Sequence, residues 1–116
     1  MILYHVMIEL KSDARALAFG AAVGAWMDHL QAAGLIGPWR LMRRKLGLAS
    51  GCHPDFLLEI EVANLSALEK AFLGVAGADD AALRKYEQMH LMIASAEVGL
   101  YRPWPDAGGR ERVALI

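Results

Sequence analysis

Apolar residues in this chain recur at two different periods, and the order in which those periods alternate constrains the fold more than any single motif. A period of two runs from Ile2 to Leu10, and a helical period follows from Ser12 to Gly34. Two more strand-like runs come next, then two short helical runs, then a last strand. The second faces of the strands carry His5 and Glu59 beside Met7 and Leu57. A sheet of that composition places its helices on one face and leaves the other to be covered by a partner or used as a pocket. No catalytic signature accompanies the pattern.

The individual segments follow from spacing. Ile2, Tyr4, Val6, Ile8 and Leu10 share one face of the first strand, and Leu3, His5, Met7 and Glu9 the other. Ser12 and Asp13 are expected to cap a helix whose stripe is Phe19, Val23, Trp26, Leu30 and Ala33, with Gly34 ending it and Gly20 and Gly24 allowing close approach to the sheet. Gly37-Pro38 turns the chain into a strand from Trp39 to Leu46. Gly47 to Asp55 connects it to a third strand in which Phe56, Leu58, Ile60 and Val62 oppose Leu57, Glu59 and Glu61. Asn64 caps a short helix with a stripe of Leu65, Leu68, Phe72 and Val75, ended by Gly74 and Gly77. Asp79 and Asp80 open another helix that runs to about Met92. The last strand is expected from Ser95 to Arg102, with Val98 and Leu100 facing the core and Glu97, Gly99 and Tyr101 facing the other way. Pro103 and Pro105 stop it. Residues 1–102 therefore read as one α+β domain and 103–116 as a tail whose apolar end, Val113 to Ile116, can dock on a partner.

Composition narrows the class. At 116 residues the chain suits one domain, and its apolar fraction of 56% exceeds what a small monomer hides easily, which favours burial between subunits. A net charge of −1 gives no long-range pull toward nucleic acid or an anionic membrane. One cysteine, Cys52, excludes an internal disulfide framework and fits a reducing, cytoplasmic setting. Met1 to Leu10 lacks the basic start of a signal peptide, and the apolar run Ala16 to Met27 falls short of the roughly 18 residues a membrane span needs.

The order strand, helix, strand, strand, helix, strand is the split βαβ or ferredoxin-like arrangement, here with an extra short helix before the last strand. It puts both main helices on one face of a four-stranded antiparallel sheet, with the first and third strands central. The segments Trp26-Met27-Asp28-His29-Leu30, Gly34-Leu35-Ile36 and Trp39-Arg40-Leu41-Met42-Arg43-Arg44-Lys45-Leu46-Gly47, together with Leu100-Tyr101-Arg102 before Pro and Asp, carry a likeness that runs to about Asp106. On these residues the chain resembles a small bacterial family of the dimeric α/β-barrel class, in which two ferredoxin-like subunits pack sheet against sheet around an enclosed space. The resemblance implies a homodimer formed through the open sheet face. Wider relatives of that class include cofactor-free monooxygenases, haem-degrading enzymes and lactone isomerases, and fold does not choose among them.

The chemistry-bearing residues collect on that open face. His5 and Glu59 fall on neighbouring central strands; a histidine can move protons near neutral pH, and a carboxylate beside it can orient it. They form the candidate catalytic pair. Arg40 and Arg44 share a strand face with Met42 between them and are the candidate groups for an anionic substrate or enolate, with Tyr101 as a hydrogen-bonding cap. The competing structural reading makes His5 a satisfied polar residue, the arginines cross-links to Glu9, Glu59 or Glu61, and Tyr101 an interface aromatic. A one-residue slip of the second strand replaces Arg40 and Arg44 by Trp39 and Arg43. Trp26 reads as core, His29 as exposed and His90 as packing.

Other chemistries lack their patterns. Cys52-His53 has no spaced partner of the kind zinc sites use. Gly47-Leu48-Ala49-Ser50-Gly51 puts its serine one place too late for a nucleophile elbow, and neither a P-loop lysine nor a dinucleotide glycine fingerprint is present. An RNA-recognition sheet needs aromatics on its central strands, where this chain has glutamates. No metal and no cofactor is expected; haem, which would need His5, is disfavoured by the neighbouring acids. Two functions follow as expectations. One is a homodimer binding a small anionic or aromatic molecule between its sheets, with cofactor-independent proton transfer or oxygenation. The other is a non-catalytic dimeric interaction or stress-associated module whose barrel is filled by Arg and Glu pairs.

Overall fold

The computed structural model describes residues 1–45 and 51–105. The expected end of the second strand at Leu46, the run Gly47 to Ser50 and the tail from Asp106 to Ile116 lie outside the described residues. In chain order the elements are β1 (Ile2–Leu10), α1 (Ala16–Ala32), β2 (Trp39–Arg43), β3 (Phe56–Val62), α2 (Leu65–Ala76), α3 (Asp80–His90) and β4 (Ile93–Tyr101). The sheet order is β2-β3-β1-β4 with every neighbouring pair antiparallel, the ferredoxin-like α+β arrangement with β1 and β3 central.

Alternation sets the two faces. Val6, Ile8, Phe56, Leu58 and Ile60 point into one core with Phe19, Val23, Trp26 and Leu30 of α1 and with Ala82 and Met89 of α3. Burying each large apolar side chain there contributes about 1.5–3 kcal/mol, so the helix-side face fixes the strand register. The Phe19 and Phe56 rings meet at 5.1 Å between centroids, tying α1 to β3. Trp26 is 3% exposed, in the core as its position in the stripe requires.

Helix ends depart from expectation in instructive ways. Helix α1 starts at Ala16, not at Ser12-Asp13, and its N-cap Arg15 offers no side-chain cap. The Lys11 N–H donates to the Met92 carbonyl at 2.9 Å, which holds the chain in the sheet beyond β1. Ser12 and Asp13 then fall in the turn to the helix layer, closed by Ala14 N–H to Lys11 O at 3.0 Å. The other end matches its glycine: Gly34 has φ +73°, and the Gly34 and Leu35 amides donate to the Gln31 and Leu30 carbonyls, the Schellman arrangement. Gly20 and Gly24 do not serve close packing, since a Cβ at either would meet nothing within 4 Å.

In α2 the Asn64 side chain accepts from the Ala67 amide at 2.8 Å, the cap its position predicts. The buried stripe is Leu68 and Ala71, with Val75 half-buried; Leu65 turns outward, and Phe72 stays half exposed with its ring edge-on to Tyr4 at 6.0 Å. Gly74 lies within the helix and only Gly77 ends it. A Cβ at Gly74 would sit 2.6 Å from Leu35 Cδ1, so this glycine lets α2 pass over the turn that ends α1. Asp79 caps α3 through the Ala82 amide at 2.9 Å. Strand β4 begins two residues earlier than expected and ends at Tyr101; a register shift opposite Glu9 and Leu10 absorbs the difference. Val98 and Leu100 face the helix side but remain half exposed, because this edge strand lies beyond the cover of the helices.

Candidate functional site

Register places the open face in rows. Arg40 of β2 stands opposite Glu59 of β3, Glu59 opposite His5 of β1, and His5 opposite Gly99 of β4. The next row is Met42, Leu57, Met7 and Glu97. On the other side of the His5 row come Glu61, Leu3 and Tyr101. Trp39 and Arg43 face the helix side, with Ile60 and Phe56 as their partners, so the slipped register does not occur.

Within the His5 row, Arg40 Nη2 donates to Glu59 Oε2 at 2.9 Å. Glu59 is the one buried charged residue among those described. The Tyr101 ring leans back over Gly99 and stands edge-on to His5 at 5.6 Å; a Cβ at Gly99 would lie 3.1 Å from Tyr101 Cε2. His5 is thus flanked by a carboxylate that serves Arg40 and by a phenol ring. The structure brings His5, Glu59, Arg40 and Tyr101 into one neighbourhood. Arg44 stands apart at the far end of the face, where Nη1 donates to the His53 carbonyl at 3.0 Å and Nη2 lies 3.6 Å from Asp55 Oδ1.

Asp55 organises that far end. Its Oδ2 accepts from the Leu10 amide at 3.0 Å, just beyond Ile8 and Phe56, the last pair of the β1–β3 ladder. This bond, with help from Glu9 and the nearby arginines, holds the Asp55 carboxyl below its usual range against the effect of burial. Glu9 is pushed up, first by sharing a hydrogen bond with Asp55 and then by burial and by the Asp55 charge. Cys52 is exposed nearby, and among the described residues no group of three or more His, Cys, Asp or Glu is placed to hold a metal.

A second feature was not legible from motifs. Between the sheet and the helices lies an apolar cavity of about 220 Å³, reached by Val6, Leu58 and Ile60 from the sheet, Trp26 and Leu30 from α1, and Leu68 and Ala71 from α2. Phe72 and Val98, about half exposed, stand in its wall. Tyr4 and His90 also line it. Burial, and then the neighbouring Tyr86, raises the Tyr4 phenol above its ordinary pKa; burial lowers that of His90. His90 packs on Tyr86 at 4.2 Å, Tyr86 meets Trp26 edge-on at 5.4 Å, and Trp26 stacks on His29 at 5.6 Å. His29 is therefore half-buried on an indole and not simply exposed. The one signal in the sequence is an excess of apolar residues in α2 beyond what one stripe can bury.

Comparison with known proteins settles the family. A model described as a family of unknown function, DUF6614, matches residues 1–116. The chain belongs to this family. A search of the curated proteins finds no match. Among solved structures, the Arabidopsis thaliana protein At3g17210 superposes with TM-score 0.73 at 6% identity, over 92% of this chain and 99% of that one. SnoaB from Streptomyces nogalater, described as a cofactor-independent oxygenase and solved as the N63A mutant, gives 0.67 at 8% identity over 91% and 95%. A dimeric ferredoxin-like protein of unknown function from Thermobifida fusca gives 0.60 at 15% identity over 88% and 90%. The DUF6614 chain thus has the fold of the dimeric α/β-barrel proteins. Neighbours of that fold are described as dimeric, and among the described residues no helix is long and apolar enough to cross a membrane.

Proposed function

We propose that this DUF6614 protein is a homodimer, joined through the open faces of its sheets, that binds a small organic molecule in the apolar cavity between each sheet and its helices. The observation that carries the reading is the cavity of about 220 Å³, walled by three helices and three strands and edged by Tyr4 and His90. An apolar pocket with a few convergent polar groups is the usual form of a small-molecule site. Met7, Leu57 and Met42 form an apolar row across the opposite face, which favours covering that face with a second copy. Native mass spectrometry of the purified protein tests both parts at once. The expected result is a dimer, with added mass where a ligand is retained; a monomer at micromolar concentration defeats the sheet-to-sheet assembly.

A second reading places chemistry between the sheets, with His5 as base, Glu59 as its orienting partner, Arg40 and Arg44 as anion-stabilising groups and Tyr101 as cap. The edge-on Tyr101 ring beside His5, made room for by Gly99, favours it, and the likeness to a cofactor-independent oxygenase supports proton transfer or oxygenation without a cofactor. Arg44, engaged with His53 and Asp55, fits this role less well than Arg40. The two readings separate in a ligand-binding assay. His5→Ala abolishes binding between the sheets and leaves binding beneath the helices intact, whereas Ala71→Leu, which fills the cavity, does the reverse.

A further inference from the structure

We infer that the ligand of the cavity beneath the helices is uncharged and predominantly apolar, about the size of a fused pair of six-membered rings. The inference deepens the cavity reading above and rests on it. Its ground is the set of side chains that reach the space: aliphatic and aromatic groups from Val6, Leu58, Trp26, Leu68 and Ala71, and no aspartate, glutamate, lysine or arginine among the described lining residues. A charged ligand entering such a space loses its hydration and gains no counter-charge.

The two titratable groups at the margin give the same answer. Tyr4 holds its proton more tightly than a free phenol, so it is neutral at physiological pH. His90 loses its proton more readily than a free imidazole, so it too is neutral there. Each offers a hydrogen bond and neither offers charge. Size follows from volume. An apolar cavity of about 150 Å³ accepts benzene, and this one is about half as large again. The entrance is consistent with an apolar guest, because Phe72 and Val98 hold apolar surface in solvent at the wall of the cavity.

This differs from the anionic ligand expected of a site built on Arg40 and Arg44, and the difference can be read directly. Isothermal titration of the full-length protein at neutral pH with naphthol, naphthoate and naphthylmethylammonium compares one ring system in three charge states. Naphthol is expected to bind more than about tenfold tighter than either ion. Its binding is expected to weaken at least about tenfold in Ala71→Leu and in Ala96→Leu. Ala96 also lines the cavity but sits exposed on the edge strand, so that variant folds even where Ala71→Leu does not. Naphthoate or the ammonium probe binding as tightly as naphthol, and lost in the filled variants, overturns the charge assignment while the cavity reading stands. No binding by any probe, or binding that both filled variants leave unchanged, overturns the cavity reading itself.

Discussion

Arg40 Nη2 sits 2.9 Å from Glu59 Oε2, joining an arginine side chain that is 66% exposed to a glutamate side chain that is 10% exposed. The two residues face each other directly across β2 and β3. Within the single chain such a pair is asymmetric: the arginine can return to water, but the carboxylate cannot. Arg40→Met is therefore expected to destabilise the fold by about 2 kcal/mol, less than the loss seen when both partners are buried. Adding Glu59→Leu to it is expected to restore most of that loss. Urea midpoints for both single variants and the double variant measure the coupling, and strictly additive effects would contradict it.

Leu57 is central in the apolar row between Met42 and Met7. A charge there leaves the monomer fold intact, because the side chain points away from the helices, but it places two like charges near each other across a face-to-face dimer. Leu57→Asp is expected to raise the dimer dissociation constant more than about a hundredfold. Sedimentation equilibrium reads the change, and an unaltered dimer would move the interface to another surface.

Asp55 ties three strands at one end of the sheet, through the Leu10 amide on β1, its own place before β3 and the Arg44 guanidinium that follows β2. Asp55→Ala is expected to cost about 1.5–3 kcal/mol, the range for a hydrogen bond to a charged group. In hydrogen exchange, the Leu10 amide is expected to lose protection before its neighbours in β1. Retained protection at Leu10 would mean that another acceptor replaces the carboxylate.

Stability is expected to fall with acid in two separate windows. The folded-state pKa of His90 lies below its ordinary value of 6.5, so the neutral imidazole contributes stability above that pH, and the contribution is lost as pH falls through the folded pKa. Asp55 is also lowered, from 3.8, so its contribution holds above that pH and disappears only below it. Glu9, raised from 4.5, acts with the opposite sign, favouring the fold while protonated and losing that contribution as pH rises through its folded pKa. His90→Gln is expected to flatten the profile below the ordinary imidazole value of 6.5 and to leave the window below 3.8 unchanged. Thermal midpoints across pH 3 to 8 provide the check.

The parts of the fold that were legible in the sequence are those where one face is wholly buried. In β3, Phe56, Leu58, Ile60 and Val62 are all buried, and their alternation fixed both the strand and its register. Glu59 then falls on the open face by counting, whereas the mixed alternation of Trp39 to Leu46 leaves the register of β2 open, and it is the pairing of Arg40 with Glu59 and Met42 with Leu57 that puts those two side chains there. Position on a face says nothing about which polar groups bond, so the attachment of Arg44 to Asp55 and the lean of Tyr101 over Gly99 were not readable. Ser12 and Asp13 misled because a good cap sequence also makes a good turn, and the hydrogen bond from Lys11 to Met92 decided between them. The cavity beneath the helices left almost no trace. It is a property of the spacing between α2 and the sheet, whereas periodicity reports only which side of a helix is apolar.

One close contact of α2 lies outside the cavity. Leu35, fixed by the turn that ends α1, rests where Gly74 has no side chain, and neither residue lines the enclosed space. The pair works as a shim under one end of α2. A bulkier residue at position 74 meets the Leu35 methyls and must displace either that side chain or α2, so the seating of this helix can be altered at a site the guest never touches.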